Sequence, residues 1–247
     1  MTGIFGNLTT EGLEETQDRL GGFQSLTTGS YDMDIAVAYA GKSSGGAQFV
    51  HLEGKIDGRD YRETIYVTNK QGENYFLNKD DKTKKVPLPG FVTMDEICLV
   101  TTDMPLSAQP TEEKIVNVWD SDQKKELPKS VPVLTALLGK TVTLGIGQVL
   151  ENKSVKDGAG NYQPIADTRT VNNIEKVFHA ATKITVPEAR ANKAPEFHAA
   201  WVERNTGQLR DKRTIKEGGE AGSSGRPGQG APAAGSAAPK QSLFGTS

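Results

Sequence analysis

Hydrophobic and polar positions alternate with a period of two through most of the first third of the chain. In Tyr31–Ala40 (YDMDIAVAYA), Tyr31, Met33, Ile35, Val37 and Tyr39 fall on one face, the pattern of a half-buried strand. After the flexible turn GKSSGG, Gln48–Ile56 alternates again, with Val50, Leu52 and Ile56 on one side and Phe49, His51 and Lys55 on the other. Asp57-Gly58 signals a tight hairpin, because both residues tolerate the positive φ of a two-residue turn. Arg59–Thr68 (RDYRETIYVT) predicts a third strand, in which Tyr61 shares a face with Ile65 and Val67 while Arg62 shares the other with Tyr66. Asn69–Gly72 makes a turn and Asn74–Asn78 starts a fourth strand.

Beyond the charged loop Lys79–Lys85 the pattern changes. Leu88-Pro89-Gly90 breaks the chain, and Phe91, Met94, Ile97 and Leu99 recur at helical spacing over Phe91–Thr102. Lys114–Asp120 is strand-like, and Val131–Leu138 predicts a short helix with Pro132 in its first turn. Thr141–Leu150 is a long strand whose two glycines allow curvature, and Asn161–Asn173 holds a further strand. Phe197, Ala200 and Trp201 have helical spacing that suits core packing or a partner surface. Near the N-terminus, Leu8–Leu20 suits a short amphipathic helix capped by Thr9 or Thr10. Five to seven strands with short helical insertions imply a mostly β protein. An OB-like antiparallel barrel fits that count, with a sandwich as the competitor. The expected organisation is a peripheral segment 1–28, a domain 29–216 ending in a helical extension, and a disordered tail 217–247. In that tail 22 of 31 residues are Gly, Ala, Ser or Pro, too few apolar groups to offset the ordering entropy.

Composition narrows the function. With 247 residues and 35% apolar content the chain supports one substantial core. Lys and Arg total 29 against 31 Asp and Glu, so any polyanion partner must be held by local potential. Cys98 is the single cysteine and sits in an apolar run, which points to a buried thiol in a reducing compartment. No apolar run spans a bilayer and the N-terminus lacks a secretory pattern, so a soluble cytoplasmic protein without membrane association is expected. His51, His179 and His198 lack metal-site spacing, and no phosphate-binding glycine loop or nucleophile elbow occurs. Asp32, Asp34, Asp57 and Asp60 are the carboxylates a magnesium-dependent nuclease would need; Asp80-Asp81 reads as a solvated turn. The expectation is a non-enzyme without cofactor or metal.

Basic and aromatic residues interleave from Lys55 to Lys85. Cations can track phosphates while ring faces stack on unpaired bases, which is the requirement for holding single-stranded nucleic acid. The candidate contacts are Lys55, Arg59, Arg62, Tyr66, Tyr75, Phe76, Lys79, Lys82, Lys84 and Lys85. Trp119 suits either base stacking or capping of the core. Lys153 and Lys156, with Tyr162 and Arg169, form a weaker cluster around the turn 157–160. Arg210, Lys212, Arg213 and Lys216 form a basic run before the tail, either holding DNA or keeping the linker solvated. At the tail's tip, Leu243 and Phe244 are either a docking motif for a partner protein or an inert end.

The block Glu63–Val100, with IYVTNKQG, the LPGF break and the following ICLV helix, resembles bacteriophage single-stranded DNA-binding proteins; VPVLTALLGKTVTLGIGQVLENK is similar to their second half. The resemblance spans about residues 31–185. It implies an OB-fold, coating of exposed single strands during replication, recombination and repair, no catalysis, and DNA contacts at Tyr66, Tyr75, Phe76 and the lysines of 79–85. Many such proteins recruit replication or recombination enzymes through an acidic tail, whereas here Glu217 and Glu220 are balanced by Arg226 and Lys240. A structural protein that assembles through its β domain is the alternative reading. The residues leave oligomeric state open.

Overall fold

A computed structural model describes residues 25–120, 122–158 and 161–216. The expected N-terminal helix and the tail, including Leu243 and Phe244, lie outside the described residues.

Three consecutive strands form the first antiparallel meander: β1 (Gly29–Lys42), β2 (Gln48–Ile56) and β3 (Arg59–Tyr66). Asp57 and Gly58 join β2 to β3 with φ of 48° and 76°, the double left-handed turn that matches strand twist. The period-two reading of β1 fails midway. A bulge between Ile35 and Val37 resets the register, so Ala38 joins Met33 and Ile35 in the core. Tyr39 moves to the opposite face, where it meets the His51 ring at 5.0 Å. One inserted residue reverses every side chain that follows it.

A small two-stranded excursion comes next, β4 (Tyr75–Leu77) and β5 (Lys85–Pro87). Its base is closed where the Leu88 N–H donates to the Asn74 carbonyl at 2.9 Å. Helix α1 (Pro89–Thr102) starts with proline in its first turn and ends at Asp103, which adopts φ 57° and donates its N–H to the Leu99 carbonyl. Met94, Ile97 and Cys98 form its buried face. Gly90 is required at the start, because a Cβ there would collide with the Tyr66 carbonyl oxygen.

β6 (Thr111–Asp120) and β7 (Lys125–Leu134) pair along their whole length, yet only Val133 of β7 bridges to β1, at Tyr39. The expected helix over 131–138 is therefore a strand to Leu134, followed by one 3-10 turn, Thr135–Leu137. Pro132 and Pro128 are accommodated because one edge of β7 needs no donors there. β8 (Thr141–Lys156) and β9 (Tyr162–His179) make a long hairpin, with a bulge between Gly145 and Ile146. Short helices α2 (Val186–Arg190) and α3 (Phe197–Asn205) precede β10 (Leu209–Asp211), which pairs parallel to β8. Asn152 fixes the end of the fold through bonds to Thr214 and Ile215.

The result is a mostly β fold: an eight-stranded, predominantly antiparallel sheet with few helices. No ladder joins β3 to β9, so the sheet is open. The core lies between the inner faces of β1, β2, β3 and β8 and helix α1. On the far side of β8 and β9, α3 seats Trp201 against Phe178, ring centroids 6.3 Å apart.

Candidate nucleic-acid interface

The outward face of β2–β3 follows from the alternation. Cross-strand pairs Phe49–Tyr66, His51–Thr64, Glu53–Arg62 and Lys55–Asp60 share that face. Tyr61, Ile65 and Val67 are in the core, whereas Tyr66 is 51% exposed and stands edge-on to Phe49 at 5.8 Å. This face is not the positive strip that the sequence pattern suggests. Lys55 pairs with Asp60, Arg62 donates to Glu126 at 3.0 Å, and Glu53 lies opposite Arg62. The Glu126 carboxylate also holds the Arg62 guanidinium above its ordinary pKa. Arg59, exposed at the start of β3, has no carboxylate partner among the described residues.

Positive charge concentrates instead on the β4–β5 excursion. Residues 70–85 carry five lysines against three carboxylates. Lys84 pairs with Asp81 at 3.3 Å, and the Asp81 carboxyl is held down by hydrogen bonds from Thr83 and then Lys84. Lys79 and Lys82 are exposed. Lys85 sits 4.1 Å above the Tyr75 ring, a cation–aromatic contact that orients both. Phe76 is 39% exposed.

The β6–β7 hairpin supplies a third aromatic. Trp119 is 60% exposed, so it does not cap the core. Its cross-strand partner is Glu126, and directly opposed residues project from one face. The Glu126–Arg62 pair therefore sets the Trp119 face of this hairpin beside the outward face of β3.

These elements converge on a cleft of about 650 Å³. The end of the β1–β2 hairpin, the base of the β4–β5 excursion, the start of α1, the 3-10 turn Leu106–Ala108 and the base of β6–β7 surround it. Phe49 and Phe91 supply rings, Gln48, Asn74 and Gln109 supply carboxamides, and Lys42 supplies a cation; among the described residues no carboxylate lines it. Gln109 donates from Nε2 to Thr102 and to the Met104 carbonyl, while its buried Oε1 has no partner among the described residues. Sequence reasoning missed Lys42, Phe49, Phe91 and Gln109 as site residues. Only Phe49 carried a signal, as an aromatic on the solvent-facing side of an alternating strand.

Lys153 and Lys156 lie on a separate element, the β8–β9 hairpin. Lys153 approaches Asp167 at 3.8 Å and Lys156 approaches the Tyr162 ring at 5.4 Å. The basic run before the tail is largely neutralised within the fold: Arg210 pairs with Glu175 and Arg213 with Asp211.

The aspartates do not gather. Asp32 bonds to Thr143 and Lys183 and Asp34 to Thr141, and no group of three or more metal-ligating side chains converges among the described residues. Cys98 is buried, which pushes its thiol up to about 12. Among the described residues no helix is long and apolar enough to cross a membrane. No model of a known protein family matches the chain, and a search of curated proteins gives no match.

Proposed function

We propose that this protein binds single-stranded DNA without reading its sequence, along a path from the lysine-rich β4–β5 excursion through the Phe49 cleft to Trp119. The cleft carries the reading. In a chain with more acidic than basic residues, it combines two phenyl rings, three carboxamides and a lysine with no carboxylate among the described residues. Unpaired bases offer flat faces to such rings, each stack contributing about 1–3 kcal/mol regardless of base identity. Lysines 79 and 82 are exposed and available to phosphates. Duplex DNA has its base faces occupied and is the poorer ligand.

The fold part of this proposal is an OB-like arrangement. In support, α1 packs against both β3 and β9, and the Glu63 carboxylate on β3 accepts the Ile174 N–H of β9. That contact lies in the gap where a closed barrel would have a ladder. The resemblance of residues 31–185 to phage single-stranded DNA-binding proteins points the same way, with roles in replication, recombination and repair.

The test is titration of intrinsic tryptophan fluorescence with oligo(dT) at two salt concentrations, with duplex of equal length as competitor. Expected are quenching of Trp119, an affinity that falls steeply with salt through counterion release, and weak competition by duplex. Equal affinity for duplex and single strand, or binding indifferent to salt, overturns the proposal.

A further inference from the structure

The β6–β7 hairpin has two outer edges of different character. On β7, Pro128 and Pro132 lie opposite Asn117 and Glu113. Neither proline has an N–H, so these are positions where β6 and β7 exchange no hydrogen bond. The N–H and C=O groups of Glu113, Asn117 and the alternate residues Ile115 and Trp119 therefore point away from β7. Along the β7 edge two donors are missing. Along β6 none is missing, and β7 is the one strand it pairs with among the described residues. Ile115 on this open edge is 77% exposed and Trp119 60%. Long edges with intact donors and apolar side chains are templates for strand addition.

We infer that the β6 edge pairs antiparallel with the same edge of a second copy, about a two-fold axis through Asn117. The sequence of the strand selects both occupant and register. With Asn117 opposite itself, Ile115 faces the partner copy's Trp119 and Trp119 faces its Ile115, all on one side of the joined sheet. On the other side Val116 meets Val118, and Lys114 meets Asp120, each twice by symmetry. Lys114 is now held by Glu112 at 3.3 Å, an exposed pair; Asp120 accepts the turn N–H groups of Asp122 and Gln123 on Oδ1, and its Oδ2, now 3.1 Å from Lys129, is the oxygen that would meet the partner copy's Lys114. Shifting the axis to Val116 sets Glu112 against Asp120 and Glu113 against Trp119; shifting it to Val118 sets Val116 against Asp120. Self-complementarity of this kind is what an isologous interface requires. The pairing does not need the DNA path proposed above, and it sets the partner copy's Ile115 beside Trp119 at the end of that path.

Cysteine cross-linking of the full chain tests the register. Asn117→Cys places two thiols across a bonded antiparallel pair, where Cα atoms lie about 5.5 Å apart, within disulfide reach. Ile115→Cys places them four residues out of register, about 13–14 Å apart along the strand. Cys98 is buried and stays silent. Mild oxidation is expected to give a covalent dimer with N117C and none with I115C. Sedimentation velocity without DNA tests the charge pairing. Lys114→Glu and Asp120→Lys each set like charges opposite one another and are expected to weaken the homodimer about tenfold. Mixing the two variants restores opposite charges at both positions and is expected to recover dimer. Far-ultraviolet circular dichroism verifies that each variant is folded. A monomer at all concentrations, equal cross-linking at 115 and 117, or no recovery on mixing overturns the inference.

Discussion

Gly41 carries no side chain at the point where Phe49 leans over it, and this fixes the ring's place at the cleft. Replacing Gly41 with Ala would put a Cβ 2.7 Å from one ring carbon of Phe49 and closer still to another. Ordinary contact lies near 3.5–4 Å, so the ring must swing by about 1 Å. Stability changes little. Disturbing the edge-on pair with Tyr66 costs roughly 0.5–1.5 kcal/mol, and the loss of glycine's freedom in the unfolded chain returns roughly 0.4–1 kcal/mol. Binding is far more sensitive, because a displaced ring forfeits a base stack of about 1–3 kcal/mol, a loss of about 5- to 150-fold. The assay is anisotropy of labelled oligo(dT) for four proteins: parent, G41A, F49A and the double variant, with melting temperatures alongside. Expected are weak binding by both single variants and no further loss in the double, since G41A acts only through the ring. If G41A binds as tightly as the parent, or the two losses add, Phe49 is not the stacking residue at this cleft.

Three other outcomes are expected. Burial raises the Glu63 carboxyl above its ordinary range, against the opposing bonds from Tyr61 and Ile174. A raised acid binds its proton more tightly in the folded state, so its contribution to stability is greatest below the ordinary carboxyl pKa and is lost as pH climbs through the folded value. Melting curves are expected to show E63Q gaining on the parent between pH 4 and pH 8; the parent gaining instead contradicts this. Trp201→Ala is expected to cost about 3–5 kcal/mol in urea denaturation, because the ring packs on Phe178 and lies 3.1 Å from where a Cβ on Gly145 would stand; a loss below 1 kcal/mol would show the α3 layer to be dispensable. Glu126→Gln is expected to leave stability within about 1 kcal/mol, since the Arg62 pair is exposed, and to steepen the salt dependence of oligonucleotide binding by about 0.7 in log–log slope as Arg62 turns to phosphate.

Local chemistry made much of the fold legible. Gln48–Ile56, the Asp57-Gly58 turn and the faces of Tyr61, Arg62 and Tyr66 follow from alternation and turn propensity alone, and the helix after Leu88 follows from proline and apolar spacing. Three things resisted. The bulge at Ile35/Val37 leaves no mark in composition, so unbroken alternation puts Tyr39 on the face of Met33 and Ile35, opposite to where it lies. Pro132 reads as a helix start unless it is known that its strand has a donor-free edge. The short β5 offers too few residues for periodicity. The site was less legible than the fold, for a physical reason. Whether a lysine or arginine is free depends on carboxylates brought in from elsewhere. Arg62 and Glu126 are 64 residues apart, and nothing in either segment announces the other. The cleft likewise draws Phe49, Phe91 and Gln109 from three separate stretches.

The bond between Leu88 and Asn74 makes the β4–β5 excursion a detour that leaves and rejoins the chain at one point. Lengthening, shortening or exchanging residues 75–87 leaves the ends where they were, so neither β3 nor α1 registers the change. The lysine-bearing part of the molecule is thus free to vary among related chains, or under an engineer's hand, independently of the scaffold. Reach and grip on a polyanion become adjustable quantities, while the hydrophobic interior stays as it is.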